Sequence, residues 1–380
     1  MYRARFVILG AAMSLAVLFV GPAAIANAIP IGSGADHAVF VQTDSPTGNQ
    51  IVAYARDDDG ALAPADTYDT GGLGGAQAGA VVDPLASQGG LTYDANDALL
   101  FAVNAGSDSV SVFGVDGAAL TLHQVVSSGG TFPSSIAVRG SLAYVLNAGG
   151  AGSVQGYRVQ GGKLHPIVNS ARSLGLSNAD VPFFTSSPGQ VVFTPDGRHL
   201  VVPTKSNGTI EVFGIRPDGR LTSGVENTSA GVVPFAAAFD AAGHLVVSNA
   251  GVSSVSTYDV NDDGTLSVIS AAVTNGQAAT CWIAEARGFF YTGNAASGTV
   301  STYAVSGSGQ ASLLEAATAT GAGTIDLAAT PDGSFLYVEN GGAATISAFA
   351  VNADGGLVPL GTTAGPAPTN GVGFEGIVAS

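Results

Sequence analysis

Cysteine is nearly absent: Cys281 is the only one in 380 residues, so the chain can form no internal disulfide. Basic residues are scarce as well. Twelve Lys and Arg stand against 28 Asp and Glu, a formal net charge of −16. Such a surface repels phosphate backbones and anionic lipids, which excludes nucleic acid as a partner. Charged residues make up only 11% and apolar ones 46%, which excludes a disordered acidic chain. Short catalytic signatures are missing too. No G-x-S-x-G, H-E-x-x-H, P-loop or C-x-x-C-H run occurs, and His37, His123, His165, His199 and His244 lack metal-ligand spacing. The reading therefore assigns no metal and no cofactor.

Long apolar runs are confined to the start. Arg3 and Arg5 precede "FVILGAAMSLAVLFVG", and "AIANA" supplies an A-x-A site ending at Ala28. Residues 1–28 read as a secretory signal, so the mature chain is expected outside the cytoplasm, secreted or periplasmic. No later segment reaches 18 consecutive apolar residues, so no membrane span is expected after cleavage. No cysteine adjoins the cleavage site, which argues against a lipoprotein.

What is abundant is glycine, 54 residues, among many Val and Ala. One phrase recurs: a small or polar residue, Val or Ile, a spacer, then an aromatic. It appears at Ile51, Val110, Val154, Ile210, Val255, Val300 and Ile346, separated by 59, 44, 56, 45, 45 and 46 residues. The two longer intervals contain residues 67–90 and 169–189, read as inserted loops. Around each phrase lie two earlier period-2 runs, a turn such as "TPDG" between them, and a fourth run after a second turn such as "NDDG". Four strands every 45 residues or so mark a β-propeller blade. The expected fold is all-β, a seven-bladed β-propeller of four-stranded blades in one domain, 29–380. The chain opens on a second-strand run, "HAVFVQTD", and ends on a first-strand run, "PTNGVGFEGIVAS". The C-terminal strand should therefore join the first blade and close the ring, removing open sheet edges. A monomer is expected.

Blade geometry sorts the turns onto two faces. First-to-second and third-to-fourth turns share one face, here the PDG face. Second-to-third turns and first-strand starts share the other, the Asn face, roughly 20 Å away for strands of this length. Asp196, Asp218 and Asp332 then read as turn residues: Pro presets the corner, Asp bonds local backbone and Gly accepts positive φ. "DDDG" at 57–60 and "NDDG" at 261–264 lack the alternating ligand spacing of a calcium loop. The Asn face gathers Asn104, Asn147, Asn249, Asn294 and Asn340, with Lys205-Ser206-Asn207 in the fourth blade's slot. Asn and Gly suit left-handed turns, so each Asn has a turn role beside a ligand-binding one. First-strand starts add Gln190, Cys281, Trp282 and Asp326, an acid within the apolar "TIDLAAT". The candidate ligand-binding residues are thus Lys205, Asp326, Gln190, the five Asn and Trp282, for a small polar molecule at the channel mouth.

These repeats resemble the seven-bladed lactonase propellers, the 6-phosphogluconolactonase-like and carboxymuconate cyclase-like proteins. The likeness is carried by "VVFTPDGRHLVV", "LAATPDGSFLYVEN", "VNAGSDSVSVF" and "GTVSTYAV", and spans residues 37–380. It implies hydrolysis of a lactone or cycloisomerisation of a small acid. The family's catalytic members carry His before "VVFSPDG" and Arg in an N-R-G segment. Here Ser187-Pro188-Gly189-Gln190 holds no His, and Ala105, Ala148, Ala250 and Ala295 stand where Arg would be. A site for anionic sugar acids needs cations, and this mouth offers Lys205. No catalytic residue is carried over. Two hypotheses follow: a lactonase-like enzyme with a divergent site, and a non-catalytic propeller that binds a ligand or protein partner.

Overall fold

The computed structural model describes residues 37–368 and 371–380. Residues 1–28, read as a secretory signal, lie outside them. Seven antiparallel sheets follow one another along the chain, and each sheet is one blade. The later blades span 91–127, 133–173, 192–228, 234–274, 280–319 and 324–364. The first consists of residues 38–69 with Ile377–Ala379 as its innermost strand. That C-terminal strand pairs antiparallel with Ala38–Gln42, placing Val39 opposite Ala379. The ring is closed as the two chain ends imply.

Burial explains why each blade has four strands of different character. Second strands such as Leu99–Asn104 are buried along their whole length, since neighbouring blades cover both faces. The outermost strands alternate, as Ala311–Ala319 does, because one face meets solvent. The aromatic of the recurring phrase joins blades. Tyr54, Tyr157 and Tyr303 each donate a phenol hydrogen bond to the preceding blade's outer strand, at Ala364, Ser127 and Val273. Tyr144, Tyr291 and Tyr337 on second strands reach forward instead, to the carbonyls of Gly219, Gly355 and Gly60 in the next blade's outer turn. A buried ring with a satisfied hydroxyl adds apolar area and about 0.5–1.5 kcal/mol for the bond.

The insertions depart slightly from their expected limits. Residues 67–69 complete the outer strand Leu62–Asp69, so the first insertion begins after Asp69. In the second, Arg172–Ser173 adds a short strand to the third blade. The two insertions meet in parallel at Ala78 and Phe183. Among the described residues, no helix is long and apolar enough to cross a membrane.

Candidate functional site

On the Asn face, the five asparagines are fully buried. Four of them share one local pattern. Asn104, Asn249, Asn294 and Asn340 donate to the hydroxyls five and seven residues on, as Asn249 does to Ser254 at 3.2 Å and Ser256 at 3.0 Å. Asn147 donates to the Ser128 carbonyl. These amides lock the second-to-third turn of their own blade, and none lines the cavity that holds Lys205 and Trp282. The turn role of the pattern is what the geometry displays.

The same pattern places Lys205 one step away from the slot first given to it. Thr204, not Lys205, takes the asparagine's place: its hydroxyl pairs with that of Thr209, five residues on, at 2.8 Å. Lys205 therefore matches the small residue after each Asn, such as Ala250 and Ala295. It adopts a left-handed φ of 51° and is 1% exposed. Its ammonium donates to the carbonyls of Ala86 and Phe184 and to Ser187 Oγ, the last two at 2.7 Å. It also lies 5.0 Å from the Phe235 ring centroid. Burial lowers its pKa to about 8, against the opposing pull of Asp83 and Glu375. An ammonium has three protons, and all three are engaged.

Lys205 thus ties both insertions to the ring. Ser187 passes the network on, donating to Gln77 Oε1 at 2.7 Å. Glu375, on the C-terminal segment, grips the first insertion from below. Its carboxylate accepts the backbone N–H groups of Leu85, Ala86 and Ser87 at 2.6, 2.8 and 3.0 Å. Successive N–H groups of this kind form an anion-holding nest. Burial and the charge of Asp83 push Glu375 up, while the Ser87 N–H pulls it down. Trp282 is fully buried, 4.9 Å from Phe235 between ring centroids, and donates its indole N–H to the Ser87 carbonyl at 2.8 Å. Gln88 completes the plug by bonding both the carbonyl and the N–H of Ile283.

The plug divides the axial space in two. Above it, a cavity of about 480 Å³ is lined by Val82, Phe184, Val233, Phe235 and Trp282, with small residues of the fifth to seventh blades between them. Lys205 and Asp83 are its charged residues, and the buried thiol of Cys281, pushed up by desolvation, also lines it. Below it, a channel of about 530 Å³ runs between the innermost strands to Pro331 at the PDG face. Asp326 and Gln190 line this channel, not the upper cavity. Gln190 Oε1 accepts the Ala237 N–H at 2.7 Å. The structure therefore separates Lys205 and Trp282 from Asp326 and Gln190, which the sequence had gathered at one mouth.

Four buried acids surround the ring closure, and sequence reasoning singled out Asp326 alone. Asp44, Glu339 and Glu375 are its neighbours. Asp44 and Asp326 are raised to about 7, first by burial. Glu339 is raised well above its ordinary value by burial and then by the other three acids. On the PDG face, Asp332 is held near 2 by the hydroxyls of Ser334 and Thr330. His199 and His244 also lie on that face, His244 bonding Asp240 at 2.6 Å.

Comparison with known proteins gives a consistent picture. The family model described as Lactonase, 7-bladed beta-propeller matches residues 172–283. Among solved structures, a candidate 6-phosphogluconolactonase from Bacteroides fragilis aligns with a TM-score of 0.69 at 18% identity, covering 91% of this chain and 98% of its own. The periplasmic gluconolactonase of Pseudomonas aeruginosa aligns at 0.66 and 20% identity, covering 87% and 96%. A functionally unknown protein from Desulfotomaculum acetoxidans aligns at 0.66 and 15%, covering 90% and 98%. No curated protein sequence matches the chain. At these identities the solved structures share the fold, and the chain resembles the lactonase propellers.

Proposed function

We propose that this lactonase-like propeller binds a small, largely apolar molecule in the cavity on its Asn face and does not hydrolyse lactones. One observation carries the reading: the cation at the mouth, Lys205, has all three donors engaged by Ala86, Phe184 and Ser187. A lactonase site needs a free cation or acid to hold a carboxylate and polarise an ester. Here Ser187 belongs to the segment where the resemblance places His, and Lys205 stands where it places Arg. The two bond each other, which gives that pair a structural task. The remaining lining, Phe184, Phe235, Trp282 and valines, suits apolar surface. The signal-like residues 1–28 support an extracytoplasmic setting.

The test is a panel of γ- and δ-lactones offered to the purified protein, with Lys205→Ala beside the wild type. The expected result is no turnover above the uncatalysed rate. A naphthalene-sulfonate dye should meanwhile bind saturably and alter Trp282 fluorescence. Turnover that disappears in Lys205→Ala would overturn the proposal in favour of the second reading, a lactone hydrolase, which the lactonase-type fold supports.

A further inference from the structure

We infer that a groove between the two inserted loops docks an extended, apolar and basic peptide segment of a partner protein. The insertions pair in parallel at one point, where the Ala78 N–H donates to the Pro182 carbonyl and the Phe184 N–H to that of Ala78. Just before it they part. Residues 73–76 of the first and 180–181 of the second then line a groove of about 380 Å³. Asn-face segments of the first three blades complete it, at Pro46, Ala105 and Phe132. It shares no lining residue with the upper cavity. The groove thus exists only because the ring carries two insertions, and connections of that length in a compact domain are usually functional.

Backbone pairing stops where the groove begins. Among the described residues, the N–H groups of Gly75 and Ala76 find no protein acceptor, and the carbonyls of residues 74–76 find no donor. The N–H and carbonyl groups of Asp180 and Val181 are likewise unpaired within the protein. Gly75 and Ala76 are half-buried, so their polar groups are shielded from water without being satisfied. Residues 74–76 lie in no turn or bend and none has a positive φ, so the strip can pair as a strand does. An extended peptide laid along it supplies the missing donors and acceptors, as in strand addition to a sheet edge.

The lining sets the chemistry of that peptide. Leu73 and Val181 are 42% and 49% exposed at the groove, beside Phe132, and offer apolar surface to a side chain. Asp108 and Asp180 are its charged residues, and no Lys, Arg or His lines it. Among the described residues no basic nitrogen comes within 4.0 Å of either carboxylate. Asp108 takes the Phe132 N–H at 2.8 Å on one oxygen, and the exposed Asp180 carboxylate takes no bond from the described residues. Successive side chains of an extended peptide point to opposite faces, so apolar and basic residues in alternation match both features. A second copy of this chain is a poorer occupant, because its net charge of −16 repels the two acids.

The experiment titrates the whole protein with a labelled, acetylated and amidated heptapeptide of alternating Lys and Val, read by fluorescence anisotropy. Salt is held at about 0.15 M, where charges more than about 8 Å apart are screened. Saturable binding is expected. A Lys-Ser peptide lacks the apolar row, and an N-methylated Lys-Val peptide lacks one row of donors. Each should bind about tenfold more weakly, the equivalent of a hydrogen bond or two or of a few buried methyl groups. Asp180→Lys and Val181→Ser alter exposed positions, and unchanged melting temperatures confirm that both fold. The first should weaken the Lys-Val peptide about tenfold by reversing a groove charge, and the second should weaken it with no change of charge. No saturable binding overturns the inference. So does equal binding of all three Lys peptides, or affinity unchanged in both variants, which marks adsorption to an acidic surface. Self-association of the wild type that Asp180→Lys or Val181→Ser alters, without peptide binding, overturns it in favour of a second copy. The dye site of the previous proposal lies apart from this groove, so either result stands without the other.

Discussion

The two ends of the central axis treat the same side chain in opposite ways. At the PDG face, Asp196 and Asp332 take hydroxyl and backbone N–H bonds from residues two positions away. Each turn satisfies its own carboxylate, and Asp332 sits near 2 by virtue of Ser334 and Thr330. At the ring closure, Asp44, Asp326, Glu339 and Glu375 are buried between chain segments that meet only in the folded ring, and all are pushed up. Local turns are self-contained. The closure depends on contacts far apart in sequence, such as Asp44 with Glu375. Their responses to truncation and to pH should therefore differ in size and in sign.

The largest difference is expected from Trp282→Ala. The ring is fully buried in the largest apolar cluster and anchors the plug through Ser87. Its removal should cost about 3–5 kcal/mol in urea unfolding, the range for deleting a buried aromatic. A loss under about 1 kcal/mol would mean that the plug is not part of the folded core, and the contrast between the two ends would collapse.

Next comes the ring closure itself. A carboxyl whose folded pKa is raised stabilises fully below its unfolded value near 4. That contribution declines as pH rises and is lost by the time pH has passed the folded value, about 7 for Asp44 and Asp326. The wild type should melt higher at pH 5 than at pH 8. Glu339→Gln keeps the shape and removes a buried acid whose ionisation burial and its neighbours oppose, so it should gain stability at pH 8 and narrow that gap. Thermal melts at constant ionic strength measure both. A wild type that melts higher at pH 8 would contradict the assignment of these acids as a cost of closure.

The contrast also explains what could be read from the sequence. Blade number, strand order and closure were legible because the recurring Val-x-x-aromatic phrase encodes a repeated contact, the aromatic wedged between blades. The PDG aspartates were legible because their partners lie within a few residues. Lys205 stood out as a rare cation, but its offset from the Asn slot was not visible, since Thr204 replaces the expected Asn. The i, i+5 relation of Thr204 to Thr209 was the signal that could have found the offset. Asp83, Asp44 and Glu375 were missed for a different reason. The first lies in an aperiodic insertion, and the other two meet only through ring closure, at a separation of 331 residues. No local pattern carries such a contact.

The smallest effect should come from Asp332→Ala, and its sign tests the comparison most directly. Asp332 accepts the Ser334 N–H at 3.0 Å and the hydroxyls of Thr330 and Ser334 at 2.6 Å each. The residue is solvent-exposed, so these bonds together should contribute about 0.5–1 kcal/mol at neutral pH. Because its folded pKa is depressed to about 2, the contribution is present above the unfolded value near 4 and lost as pH falls through 2. The variant should therefore approach the wild type at the most acid pH and fall behind it at pH 5–7, the reverse of the Glu339→Gln profile. Urea titrations at pH 2.5, 5 and 7 decide the matter: a deficit that grows toward acid would show that Asp332 is not held by its turn, and that the two ends of the axis share one electrostatic regime.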